Sequence, residues 1–157
     1  MARLLVVHHT PSPTMATMLD KVLEGAGVDD LVDDDGRGVE VVAVPALSAS
    51  ASDVLAADGY LLGTPANLGY MSGALKHFFD QIYYPCLDAT AGRPVGLYVH
   101  GNNDVDGAVL AVERIVTGLR WRQVAEHVRC TGDLGAMDRD VCWEIGATLA
   151  AHTLGIG

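Results

Sequence analysis

The sequence predicts an α/β three-layer sandwich, a five-stranded parallel sheet of order 2-1-3-4-5 with helices on both faces. Three observations carry this. Strand-like and helix-like segments alternate from one end of the chain to the other. Most of the strands are continuous apolar runs, the pattern of strands buried on both faces, rather than alternating ones. The helical segments each present one apolar face. Strict alternation of this kind implies parallel strands joined by crossover helices, and five such strands suit a doubly wound sheet whose ligand site lies between strands 1 and 3. No internal repeat or boundary interrupts the pattern, so residues 1–157 are expected to form one domain.

Residues 3–8, "RLLVVH", are the first strand, bounded by turn residues. After "HTPSPT" a helix is predicted from about Thr14 to Gly25, with Met15, Met18, Leu19, Val22, Leu23 and Ala26 on one face. "GAGVDDLVDDDGRG" is an acidic, glycine-rich connection; Asp29, Asp30, Asp33, Asp34 and Asp35 lack the spacing and closing Glu of a calcium loop. "VEVVAVPA" (39–46) is the second strand, and Ser52 or Asp53 is expected to cap a short helix through Ala57. "DGYLLGTP" (58–65) is the third strand, followed by a helix from Ser72 to Tyr83 that buries Leu75, Phe78, Phe79 and Ile82. "PVGLYVHG" (94–101) is the fourth strand, with "NNDVD" as its exit loop and a helix over 107–119. "RQVAEHVRC" (122–130) alternates and reads as an edge strand; the last helix is expected over 138–154.

Composition narrows the function. Of 157 residues, 50% are apolar, as in a globular domain, and the formal charge is −10. An acidic surface argues against nucleic acid and anionic membranes. No apolar run approaches the ~18 residues of a membrane span, and no small-residue cleavage site follows "MARLLVVHH". A cytoplasmic location is therefore expected. Cys86, Cys130 and Cys142 are far apart in sequence and odd in number, so neither a zinc site nor a disulfide framework is expected.

Ligands of such a sheet bind beyond the carboxyl ends of the strands. The loops that end there, 9–14, 64–72 and 101–106, are all unusual in composition. In the first, Thr10, Ser12 and Thr14 offer three hydroxyls ahead of a helix start, while Pro11 and Pro13 stiffen the turn. Helix N-terminal N–H groups and the helix dipole favour an anion there, held by neutral donors because no Lys or Arg lies between His8 and Asp20. Ordinary N-capping by Ser12 or Thr14 is the equal alternative. In the second loop, Thr64 before Pro65 is pushed to extended geometry, and Gly69 and Gly73 allow special backbone conformations or close approach. Such a loop aims several N–H groups at one flat object, with Tyr70 for ring contact. Neither GxGxxG nor GxxxxGK[ST] is present, and the third strand ends in Gly63-Thr64-Pro65 rather than a phosphorylatable Asp, which excludes a receiver domain.

"GTPANLGYMSGALKHFFDQI" resembles the GTPxxxGxMSxxxKxFxD segment of the flavodoxin-like quinone and FMN reductases, including the WrbA-type NAD(P)H:quinone oxidoreductases, and "HHTPSPTMATML" is similar to that group's phosphate loop. The resemblance implies a flavodoxin-like fold with bound FMN. Thr10, Ser12, Thr14 and the Met15 N–H would hold its phosphate. Pro65, Ala66, Asn67, Leu68, Gly69 and Tyr70 would line the isoalloxazine, and Gly101, Asn102, Asn103 and Asp104 would close the other side. NAD(P)H would be the electron donor, and a quinone, a flavin or a redox protein the acceptor. Two departures stand out: Pro13 sits where many relatives have Gly or a basic residue, and "HGNNDVDG" lacks the shielding aromatic of many flavodoxins, which leaves one ring face open. His100, ending the fourth strand, is a weak candidate proton donor, with a structural role the stronger expectation. His77 is a further one, and Lys76 could meet an NADPH phosphate. "QIYYPCL" is an apolar stretch suited to an interface between copies. A flavodoxin-like electron carrier without its own NAD(P)H turnover is the alternative function.

Overall fold

The central sheet has the strand order β2-β1-β3-β5-β6, which is the predicted order with two elaborations. In the computed structural model all residues, Met1–Gly157, are described. β1 (Arg3–His8), β2 (Glu40–Pro45), β3 (Gly59–Asn67) and β5 (Pro94–Gly101) are the first four parallel positions. The fifth position is shared by two short strands, β6 (Arg122–Gln123) and β7 (Val128–Thr131), which both pair with β5. The predicted continuous edge strand 122–130 is thus broken. Gln123 Nε2 donates to the Ala125 carbonyl at 3.0 Å, turning the chain out of the sheet, and His127 turns to Glu113 of the neighbouring helix at 2.9 Å.

The second elaboration is β4 (Tyr70–Met71), which folds back antiparallel on the end of β3, pairing Ala66 with Met71 and Asn67 with Tyr70. What reads in sequence as a long loop is a hairpin. Its two turn residues, Leu68 and Gly69, have φ of 51° and 74°, as a type I′ turn requires at both centres. The sheet therefore counts seven strands rather than five.

The helices cover both faces. α1 (Pro13–Ala26) and α5 (Ala136–Leu154) pack on one side, where Leu4, Val6, Leu61 and Tyr98 of the sheet meet Met15, Met18, Ile145 and Leu149. α2 (Ala51–Ala56), α3 (Gly73–Cys86) and α4 (Asp106–Gly118) pack on the other, over Leu5, Val7, Tyr60, Leu62, Leu97 and Val99. Successive strand residues thus feed opposite cores, which is why the strands read as unbroken apolar runs. The α2 cap is Ser50, which forms a capping box with Asp53, rather than Ser52 or Asp53 alone. α1 and α5 lie backbone to backbone: a methyl group on Gly25 would overlap the Trp143 carbonyl, and one on Gly146 the Val22 carbonyl. Cys130 and Cys142, distant in sequence, share this core. Their mutual hydrogen bond and burial push the Cys130 thiol well above its ordinary range. No helix is long and apolar enough to cross a membrane.

Candidate functional site

The three predicted loops meet at the carboxyl rim of the sheet. β1, β3 and β5 are adjacent, with His8 in register with Gly63 and Pro65 with His100, so their exits stand side by side. The His9 N–H donates to the Gly63 carbonyl at 3.0 Å, which holds the first loop to the third strand. Gly101 brings the third loop onto the second, since a methyl group there would lie 2.8 Å from the Asp104 carbonyl and 3.2 Å from Ala66 Cβ. The hairpin tip in turn rests on α4, where only a glycine at 107 leaves room for the Gly69 carbonyl.

Each loop is fixed by its own polar residues. In the first, Ser12 is the N-cap of α1 and accepts the Met15 N–H at 3.2 Å. Met15 itself is buried in the core, and its N–H, expected among the phosphate donors, is engaged by Ser12. The Thr10 hydroxyl is paired with His8 Nδ1 at 2.6 Å. Burial, and secondarily the charge of adjacent His9, hold the His8 imidazole below its ordinary pKa. In the second loop, fully buried Thr64 is the anchor: its Oγ1 accepts the Ser72 N–H at 3.0 Å and donates to the Pro65 carbonyl at 2.8 Å. Ser72 caps α3 by accepting the Leu75 N–H at 3.2 Å. In the third, the Asp104 carboxylate accepts the Asp106 N–H at 2.9 Å and so shapes the turn into α4.

The side chains of Asn102, Asn103 and Asp104 are exposed, as are Asn67, Leu68, Gly69 and Tyr70; Pro65 is buried and Ala66 half-buried. The main-chain N–H groups of Thr10, Ser12, Thr14, Leu68, Gly69, Asn102 and Asn103 have no acceptor within the protein. All three loops therefore turn unengaged donors to one rim, which is the donor set that an anionic tail and a flat heterocycle with ring carbonyls need. His9 Nδ1, at the start of this rim, is buried without a partner. The chemistry of this donor set fits the phosphate and ring carbonyls of FMN.

His100 donates from Nε2 to the Gly132 carbonyl at 2.8 Å, so this ring proton is committed to the neighbouring loop. Two features escape sequence reasoning. One is the fourth loop, 131–135, which joins the rim from the edge strand and borders a cleft of about 270 Å³ with Pro13, Thr14 and Arg139. Arg139, held by the Leu134 carbonyl at 3.1 Å, thus brings a cation beside the predicted phosphate end, accompanied by Asp133. Its only sequence signal is that the edge strand also ends at the carboxyl rim. The other is the positive φ of Leu68 at the hairpin tip: the residue itself is among the expected ring contacts, its left-handed backbone is not. A wider cleft of about 540 Å³ lies between β7 and α5 and includes no residue of the three predicted loops.

Residues 23–131 match the model of the NADPH-dependent FMN reductase family. The chain belongs to this family. A flavodoxin from Aquifex aeolicus is 34% identical over 82 residues, a stretch covering 52% of this chain and 40% of that protein, so the chain spans less than half the length of this curated relative. Among solved structures, the WrbA-like flavodoxin of Agrobacterium tumefaciens superposes over 100% of both chains with a TM-score of 0.75 at 15% identity. The flavodiiron protein of Giardia intestinalis matches 98% of this chain and 36% of its own, with a TM-score of 0.79 at 13% identity. At such identities these structures establish the fold, which is flavodoxin-like, and the family match establishes the membership.

Proposed function

We propose that the protein is an FMN-dependent oxidoreductase that takes electrons from NAD(P)H and passes them to a quinone, a flavin or a similar small acceptor. The observation that carries this is the convergence of three loops whose main-chain N–H groups lack acceptors at the switch point of the sheet. Bound FMN would supply the redox chemistry; the chain's own residues bind, orient and tune. The N–H groups of Thr10, Ser12 and Thr14, with the N-terminus of α1, hold the phosphate. Those of Leu68 and Gly69 would be donors for a ring carbonyl, and would stabilise negative charge that builds up on reduction. Asn102, Asn103 and Asp104 border the opposite edge. None of these loops places an aromatic side chain over both ring faces: Tyr70 is the only aromatic among them, so one face stays open to a nicotinamide or quinone.

The test is NAD(P)H oxidation by purified protein with FMN and a panel of quinones and flavins. Sustained turnover is expected; no turnover with either nucleotide and any acceptor counts against the reading. The flavodoxin relative from Aquifex aeolicus favours a second reading, an electron carrier between redox proteins. The carrier would bind FMN and exchange electrons with a reductase protein while leaving NAD(P)H alone.

A further inference from the structure

β7 is an edge strand that pairs only with β5. The Gly132 N–H donates to the Gly101 carbonyl at 2.9 Å, and the Val124 N–H to the Val95 carbonyl at 3.2 Å, so the even-numbered residues of this segment turn their main chain to β5. The main-chain groups of Arg129 and Thr131 therefore face outward, with no strand beyond them. Beside this edge runs the cleft of about 540 Å³ between β7 and α5. Val128 and Ile145 give it a buried apolar floor, and Met137, Val141 and Thr148 recur along α5 at helical spacing as its wall. Met137 is 78% exposed. The unused charged and ring groups here are acceptors. Glu126 and Glu144 border the cleft, exposed and without an ion pair. The side chain of His127 is 7% exposed and its Nε2 donates to Glu113 at 2.9 Å, which leaves Nδ1 as a buried acceptor with no partner. Arg129, the cation of this wall, is answered by Asp106 at 2.9 Å.

We propose that this cleft docks an extended segment of a partner protein, added as a further strand on the outer edge of β7, with a basic–apolar–basic pattern on the face turned to α5. Main-chain hydrogen bonds to Arg129 and Thr131 set its register, as in other strand additions to an open sheet edge. Every second side chain of the segment then points into the cleft. An apolar one rests on Val128, Val141 and Ile145, and a Lys or Arg on either side meets Glu126 and Glu144. The pattern of charge selects the occupant. A second copy is disfavoured, because pairing β7 with its own equivalent would bring Glu126 and Glu144 against another acidic chain of net charge −10. No residue of the flavin-facing loops borders the cleft, so the inference stands apart from the reductase reading.

The probe is a capped peptide, threonine-lysine-threonine-valine-threonine-lysine-threonine, titrated into isotope-labelled, FMN-loaded protein and followed by NMR. Saturable shifts are expected in residues 125–131 and 137–148, with amide exchange at Arg129 and Thr131 slowed at least about tenfold at saturation. The peptide with glutamate in place of both lysines is expected to bind at least about tenfold more weakly. The peptide with proline in place of the two inner threonines, which cannot donate to the edge, should lose binding. Glu126→Lys combined with Glu144→Lys should weaken the lysine peptide at least about tenfold, while unchanged FMN uptake shows that the fold is intact. The inference is overturned if the lysine peptide gives no saturable shifts, if the glutamate or proline peptide binds as tightly, or if the charge reversal leaves its affinity unchanged. It falls equally if sedimentation shows a dimer whose formation protects the Arg129 and Thr131 amides without peptide, since a second copy is then the occupant. Absence of NAD(P)H turnover sinks the reductase reading and leaves this inference standing.

Discussion

Gly107→Ala should damage the site more than the fold. An alanine in a helix is ordinarily favoured over glycine by up to about 1 kcal/mol. At position 107 the added methyl group would fall well inside 3.0 Å of the Gly69 carbonyl oxygen, a separation that real Cβ atoms do not adopt, and the obstruction is main chain and unable to rotate away. The hairpin tip must therefore retreat by about 1 Å, with an overpacking cost of about 1–3 kcal/mol. After the full helix gain is subtracted, a net destabilisation of about 0–2 kcal/mol is expected, read by urea unfolding. FMN affinity should fall by at least about tenfold, since the same tip carries the Leu68 and Gly69 donors and a 1 Å error in a binding element is costly. Gly73→Ala is the control. It also begins a helix beside this hairpin, but a methyl group there meets nothing within 4 Å. It should leave stability equal or slightly raised and FMN affinity within about twofold of wild type. The reasoning is refuted if Gly107→Ala binds FMN as well as wild type, or if Gly73→Ala is the more harmful of the two.

Thr64→Val keeps the shape of the side chain but leaves the buried Ser72 N–H without its acceptor, so a loss of about 1–3 kcal/mol in urea unfolding is expected, and Thr64→Ser should restore most of it. Ser12→Ala removes the α1 cap and should cost about 1 kcal/mol in the same assay. Leu68→Asn relieves a branched side chain of a left-handed conformation and should raise stability by up to about 1 kcal/mol, with the thermal midpoint rising accordingly. Burial lowers the pKa of His8, and lowers that of His127 against the pull of Glu113. The unfolded chain therefore binds these protons more readily than the folded one. Stability is full above the ordinary value of 6.5 and is lost as the pH falls through the depressed folded values, so unfolding at pH 5.5 should be easier than at pH 7.5, and His127→Gln should flatten that slope.

The layer architecture was legible because two independent periodicities agree. Residues 4–7 and 94–99 are apolar without interruption because each alternate residue serves a different core, and Met15, Met18 and Val22 recur at helical spacing. The rim was legible from composition, since three loops rich in Pro, Asn, Gly and hydroxyls all end on one side of the sheet. The hairpin was not, because its turn has Leu-Gly at the centre where Asn-Gly would have announced a type I′ turn. Nor was the break in the edge strand, for Val124–His127 contains neither Gly nor Pro, and it is a side-chain bond to Glu113 that draws His127 away. Among the glycines around the rim, Gly73 stands out by its position in the sequence, whereas the close approaches there belong to Gly101 and Gly107. Packing across elements decides such contacts, and one-dimensional spacing does not encode it. Arg139 beside Thr14 is likewise a product of tertiary proximity.

FMN and riboflavin titrated into the purified protein, followed by flavin fluorescence, test the central claim most directly, because the two ligands differ only in the phosphate that the first loop is held to grip. Saturation at one FMN per chain is expected, released unchanged by acid, with riboflavin weaker by at least about tenfold. Absence of FMN uptake, or riboflavin bound as tightly as FMN, would contradict the account.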